Sequence, residues 1–293
     1  MESCTRTRLS CTRTRLIVTF VTGALAALSI YGIAGARVEA TGTFALLDGS
    51  PQIVSKLWAD SGPGQNTTLR VRQFQRTGAP ILNYQIDMQR LMHLVVVRDD
   101  FAMFAHLHPE FDATTGTFRQ SFEEEPNHRY YVYADTTPNG IGQQVFRFTL
   151  GANSAQSSPV IDTTPKATAA AAPYTVTLGA VAIAARRPQM LTISVFEGGK
   201  PARDLGTYLG AAAHAVLINT QTLAYVHLHP TVRGAPSMAM ASGSGMQMSG
   251  SAAAGPLMEM SLPALPAAPY KLWLQFRGAG DGIYTAPFTL LVR

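Results

Sequence analysis

The segment Met92-His93-Leu94-Val95-Val96-Val97-Arg98-Asp99-Asp100-Phe101-Ala102-Met103-Phe104-Ala105-His106-Leu107-His108-Pro109 reads as a β-hairpin that carries three histidines. Two short runs rich in Val, Leu and Phe flank an acidic turn, the pattern of paired strands rather than of a helix. The chain contains the pattern twice. The second copy runs His214-Ala215-Val216-Leu217-Ile218-Asn219-Thr220-Gln221-Thr222-Leu223-Ala224-Tyr225-Val226-His227-Leu228-His229-Pro230. In each copy the first histidine precedes the second by thirteen residues and the third by fifteen.

The repetition extends well beyond the hairpins. Thr68-Leu69-Arg70-Val71-Arg72-Gln73-Phe74 aligns with Met190-Leu191-Thr192-Ile193-Ser194-Val195-Phe196 at an offset of 122 residues, and the hairpins align at 121. Residues 130–150 fall on 270–290 without a gap at an offset of 140, which matches Tyr133 to Trp273 and Gly140 to Gly280. A period this long belongs to a duplicated domain with its own core, not to a solenoid unit. Strand-like runs at 53–58, 68–74, 81–88, 93–97, 102–108, 130–134 and 145–150 are punctuated by Gly, Pro, Asn and Asp. About seven short strands in roughly 110 residues predict an all-β chain: two tandem immunoglobulin-like or cupredoxin-like β-sandwich domains from an internal duplication.

The domain layout follows. Residues 1–40 read as a signal peptide or an N-terminal membrane anchor. An exact tandem repeat of Ser-Cys-Thr-Arg-Thr-Arg-Leu (3–9 and 10–16) supplies a basic region, an uncharged and mostly apolar stretch follows from 16 to 36, and Ala34-Gly35-Ala36 and Val38-Glu39-Ala40 offer small-residue cleavage sites. Residues 41–151 form the first sandwich, 152–173 an Ala/Ser/Thr/Pro linker, and 174–293 the second sandwich. The second copy carries a methionine-rich insertion at 236–256, which accounts for the jump in offset from 121 to 140.

Charge and cysteine narrow the function classes. The formal net charge is +5, but Arg6, Arg8, Arg13, Arg15 and Glu2 lie in the N-terminal region, and without them the balance is +2. No basic stripe remains for phosphate contacts, so nucleic acid is not an expected partner. Both cysteines, Cys4 and Cys11, precede the apolar stretch, so the exported part has neither a disulfide nor a thiolate metal site.

Alternation of strand side chains puts His106 and His108 on one face. With Asp99-Asp100 as a two-residue turn, His93 lies opposite His106 and completes a triangle of imidazoles; Thr220-Gln221 does the same for His214, His227 and His229. Neutral imidazole suits copper and zinc, and three ligands leave a position open. An iron site would need a carboxylate, and Glu110 in copy one is matched by Thr231 in copy two. The competing reading is structural: both faces of each hairpin are apolar, as in a central strand, and buried histidines can be hydrogen-bonded to backbone or to each other. Met238, Met240, Met246 and Met248 lie in a Gly/Ser-rich loop with no core to fill, and thioethers favour cuprous ions. Met258 and Met260 read as core, and His128 as surface.

Leu205-Gly206-Thr207-Tyr208-Leu209-Gly210-Ala211-Ala212-Ala213-His214, with Leu223-Ala224-Tyr225-Val226-His227-Leu228-His229-Pro230 and Tyr270-Lys271-Leu272-Trp273-Leu274-Gln275-Phe276, resembles a group of exported bacterial proteins described as secreted or heavy-metal-binding. The resemblance covers most of the second copy and reaches the first through Phe104-Ala105-His106-Leu107-His108-Pro109. It implies a bacterial, extracytoplasmic β-domain without an established activity. The methionine loop is similar in composition to the methionine-rich segments of periplasmic copper-handling proteins.

The expectation is an exported (periplasmic or secreted) metal-binding protein that takes copper, with zinc as the alternative, and acts as carrier, buffer or resistance factor. His93, His106, His108, His214, His227, His229, Met238, Met240, Met246 and Met248 are its candidate ligands. Its partners would be the ion and another exported metal-handling protein, with the membrane involved only if residues 16–36 are retained. Two rivals remain open: a secreted sandwich module without metal, and a three-histidine zinc or copper enzyme. The enzyme lacks a general acid or base that recurs in both copies.

Overall fold

The computed structural model describes residues 37–61, 66–125, 127–151, 159–234 and 254–293. The segment read as signal or anchor, up to residue 36, and the loop holding Met238, Met240, Met246 and Met248 lie outside the described residues. Among the described residues no helix is long and apolar enough to cross a membrane.

The first copy contributes β1 (Arg37–Thr41), β2 (Thr43–Phe44), β3 (Ile53–Ser61), β4 (Asn66–Gln75), β5 (Tyr84–Gln85), β6 (Met92–Arg98), β7 (Phe104–Leu107), β8 (Glu110–Asp112), β9 (Thr117–Glu123), β10 (Arg129–Pro138) and β11 (Gln144–Gly151). The second contributes β12 (Thr168–Ala171), β13 (Tyr174–Leu178), β14 (Ala182–Ile183), β15 (Gln189–Glu197), β16 (Lys200–Pro201), β17 (His214–Asn219), β18 (Tyr225–Leu228), β19 (Thr231–Val232), β20 (Leu257–Leu262), β21 (Ala268–Arg277) and β22 (Ile283–Val292). Each copy folds into two sheets, and the strand orders correspond: β1-β3-β4-β9-β8 with β12-β13-β15-β20-β19, and β2-β11-β10-β6-β7 with β14-β22-β21-β17-β18. The tandem β-sandwich duplication is therefore the architecture of the chain. Two boundaries differ from the sequence reading. β1 begins inside the segment assigned to the signal or anchor and pairs with β3, and β12 lies inside the stretch assigned to the linker and pairs with β13.

The two kinds of sheet differ in how many faces they bury. Along β3 and β4 burial alternates residue by residue, because one face of this outer sheet meets solvent. β17 is buried at every position, and β6 at every position up to Arg98. Leu94 and Val96 point into the first sandwich, against Leu57, Val71 and Phe118. Val95 and Val97 point the other way, into a third apolar layer shared with Val216, Ile218, Tyr225 and Trp273 of the second copy. The inner sheets of the two sandwiches thus pack on each other, and the two copies form one compact unit.

This layer has approximate two-fold symmetry. Tyr133 stacks on Tyr225 (ring centroids 5.1 Å apart), and Trp273 stacks on Phe104 (4.8 Å). Tyr133 and Trp273 are equivalent positions of the duplication, as are Phe104 and Tyr225, so each contact is the image of the other, as in an isologous dimer. Full burial of such side chains stabilises by roughly 1.5–3 kcal/mol each. The layer is a core, not a loose contact between domains.

The hairpin register corrects the expectation. His106 pairs with Val95, not with His93, and His227 pairs with Val216, a shift of two residues in both copies. The turns are four-residue loops instead of two-residue ones. Phe101 and Leu223 adopt left-handed backbone (φ 60° each), and Arg98 N–H bonds Met103 O (3.1 Å) as Asn219 N–H bonds Ala224 O (2.9 Å). Asp100 holds its loop by pairing with Arg98 (2.8 Å) and accepting from Ala102 N–H. Because strand faces repeat every two residues, a shift of two leaves all six histidines on the face expected for them.

Candidate metal centre

The face that carries the histidines is the one buried between the sandwiches, so the two triangles meet. One nitrogen from each of His93, His106, His214 and His227 lies within 4.8 Å of the other three. These four could hold a metal ion. His93 and His214 are each 1% exposed, His106 is 8% exposed, and the His227 side chain is 1% exposed. His108 and His229 complete the six: His108 packs against His93 and His106 (ring centroids 5.3 and 4.8 Å), and His229 against His214 and His227 (4.8 and 4.7 Å). His128 stands apart at the surface beside Glu125.

Each of the four central rings has its outer nitrogen tied to an acceptor. His93 Nε2–H donates to the Asp87 carbonyl (3.1 Å), and His214 Nε2–H to the Tyr208 carbonyl (3.0 Å). Asp87 and Tyr208 are 121 residues apart and open equivalent tight turns, Met88-Gln89 and Leu209-Gly210, with positive φ at all four central residues. His106 Nδ1–H donates across the interface to Gln275 Oε1 (2.9 Å); the Gln275 amide is oriented by donating its Nε2–H to Thr285 Oγ1 (3.0 Å). His227 Nδ1–H donates the other way, to Asp135 Oδ2 (3.3 Å), whose second oxygen accepts from Gln143 Nε2 (2.9 Å). Asp135 lies opposite His93 in the sheet and Gln275 opposite His214, and the two are equivalent positions 140 residues apart.

These outer bonds decide the tautomers. With the outer nitrogens protonated, the inner ones carry lone pairs. His93 Nδ1 faces His106 Nε2 at 2.9 Å, and His214 Nδ1 faces His227 Nε2 at 3.2 Å. Two lone pairs at hydrogen-bond distance repel unless a proton or a cation lies between them. Outer-shell acceptors that fix ring orientation and leave the inner nitrogen free are the usual support of a histidine-ligated metal.

The electrostatics favour neutral, ligating rings. Burial, followed by the charge each ring would feel from its neighbours, holds His106 and His227 well below the ordinary histidine value. Burial lowers His93 and His229 as well, pushes His108 down to about 4 and His214 to about 3. Burial raises Asp135 to about 7, against the lowering effect of the Gln143 hydrogen bond. Burial and then the Asp135 charge hold the Tyr225 hydroxyl well above its usual range, so it stays protonated beside the site.

The structure brings all six candidate histidines to one place. It places Met258 and Met260 in the second core, 0% and 1% exposed. The sequence reading missed Asp135, Gln275 and the carbonyls of Asp87 and Tyr208. The duplication contained a signal for them, since each pair falls on equivalent positions.

Fold and site together define a class: a duplicated β-sandwich protein with a buried histidine cluster between its copies. The family model described as "Domain of unknown function (DUF8832)" matches residues 51–154 and again 168–293, and the chain belongs to that family. Comparison with curated proteins gave no match. Among solved structures, the crystal structure of red sea bream transglutaminase aligns over 88% of this chain and 31% of its own, at 11% identity and a TM-score of 0.21. This chain thus spans about a third of that one, and a likeness of that size carries no functional argument.

Proposed function

We propose that this protein is an exported metal-binding protein whose histidine cluster takes copper, with zinc as the alternative ion, and that it acts as a buffer, resistance factor or carrier. The observation that carries the reading is the pair of facing nitrogens in each copy: four inner lone pairs converge while every outer nitrogen is held by an acceptor. A cation supplies what this arrangement lacks. A set of neutral imidazoles without thiolate suits copper and zinc. The methionine-rich insertion supports copper, because it begins a few residues after His229 and thioethers suit the cuprous ion. Burial between two sandwiches favours retention of the ion, which fits a buffer or resistance factor better than a fast carrier. The resemblance to exported heavy-metal-binding proteins supports the extracytoplasmic setting.

The test is titration of the full chain with Zn(II), Cu(II) and Cu(I), beside His227→Ala/His229→Ala and beside a deletion of residues 238–248. Tight binding lost with the histidines, and cuprous affinity weakened by the deletion, is the expected result. A folded wild-type protein that takes up no metal above background would overturn the reading and leave the cluster as a packing device.

A further inference from the structure

We infer that the cluster is built for two metal ions, one in each histidine triangle, and not for a single ion among the four central rings. The inference rests on the metal-binding reading above and deepens it. The nitrogens that lie within 4.8 Å of one another are those of the central four, while the ring spacings admit both arrangements. Imidazoles bound at about 2.0–2.1 Å place their ring centroids roughly 4.5–5.2 Å apart around one ion. The rings of His93, His106 and His108 are 4.8–5.3 Å apart, and those of His214, His227 and His229 are 4.7–5.4 Å apart. The central four are 4.9–5.9 Å apart, with both contacts of His214 across the interface at the long end, 5.9 Å to His93 and 5.7 Å to His106.

The outer pair of histidines separates the two cases. His108 Nε2 and His229 Nε2 are each shut off from solvent, and neither has a hydrogen-bond partner. A one-ion site on the central four leaves both nitrogens buried and unsatisfied, the costly state for a polar group. Two ions use them. The duplication adds an independent reason: each copy brings a complete triangle, with its own tight turn and carbonyl behind the first ring, and the two-fold relation of the inner sheets places the triangles side by side. An ion on three imidazoles keeps a position for a water-derived ligand.

The experiment counts ions. The full chain carries Cys4→Ser/Cys11→Ser so that no thiolate contributes. Zn(II), which thioethers bind poorly, is titrated calorimetrically and then measured as metal per chain after gel filtration. Two ions per chain are expected, falling to one in a folded His108→Gln/His229→Gln variant. Should that variant not fold, Cu(II) loading of the wild type decides: two coppers close together give a resonance that integrates to well under two spins or is broadened by coupling. One ion per chain with a single isolated Cu(II) signal would overturn the two-ion site and leave the metal-binding reading intact. No ion at all would overturn both.

Discussion

The two halves of the cluster are copies of one design that differ at one telling position. Both contain the triangle, the tight turn with its carbonyl acceptor, and a partner reaching from the opposite sandwich to the second histidine. That partner is Gln275 for His106 and Asp135 for His227. A carboxylate makes the ring it contacts a more basic ligand and an amide does so less, so duplication followed by one divergence yields two unequal halves. The buried carboxyl also destabilises the metal-free protein in a way an amide does not, as its raised pKa records. On the proposed metal-binding reading, the second half is the tighter of the two, at the expense of the empty state.

Acid should have the largest effect, because it acts on both halves at once. Above about pH 6.5 the imidazoles are neutral in folded and unfolded chains alike. Below it the unfolded chain takes up protons that the folded chain refuses until about pH 4 at His108 and about pH 3 at His214. Stability is therefore lost as pH falls from 6.5 through that window, by about 1.4 kcal/mol per unit of pKa difference for a fully shifted ring. Asp135 works in the opposite sense: its raised pKa adds stability at low pH that is lost as pH rises through about 7. One carboxyl does not outweigh six rings. Several rings together approach a domain's whole stability of about 5–15 kcal/mol, so metal-free protein should unfold cooperatively between about pH 6.5 and 4 in a circular-dichroism titration. A flat profile would mean the rings are protonated in the fold.

Next in size are the stacked pairs on either side of the site. Trp273→Ala and Tyr133→Ala should each cost about 3–5 kcal/mol in denaturant unfolding, because each empties part of the layer between the sandwiches. If the layer has the symmetry described, the two costs should be similar and both should loosen metal.

Asp135→Asn makes the halves alike. The prediction is a folded protein whose tighter site weakens about 10–100-fold while the other is unchanged, read by competition with a chelator. Equal weakening of both, or of neither, would deny Asp135 its part.

The smallest difference lies between the two tight turns. Gln89 is an exposed non-glycine residue at φ 65°, where copy two has Gly210 at φ 82°. Gln89→Gly should be neutral or stabilise by up to about 1 kcal/mol, since relief of left-handed strain exceeds the entropy cost of glycine. Gly210→Gln should destabilise, because it places a side chain on left-handed backbone at φ 82°. Thermal melts distinguish the two.

Much of the fold and half of the site are legible in the amino-acid sequence. The strands at 53–58, 68–74 and 93–97 are visible because burial imposes period two or a continuous apolar run. β9 escapes a pattern reading because Thr117-Phe118-Arg119-Gln120-Ser121-Phe122-Glu123 spaces its buried phenylalanines four apart, and 81–88 is over-read, since the strand there is only Tyr84–Gln85. The turns are misjudged because Phe101 and Leu223 hold left-handed backbone without being glycine, so the residue types carry no cue. Asp135 is silent for a different reason. An isolated Asp in an apolar strand has no pattern, and its meaning emerges only when the register sets it beside His93 and packing sets it against His227.

The duplication, the β class and the common face of the six histidines follow from the order of the amino acids alone, because side-chain alternation is a local property of an extended chain. That order contains nothing about what covers the face. An apolar strand face packs equally well on its own sandwich or on a neighbouring one. Only the docking of the inner sheets, driven by burial of Tyr133, Tyr225, Phe104 and Trp273, decides that two separate triangles become one buried cluster.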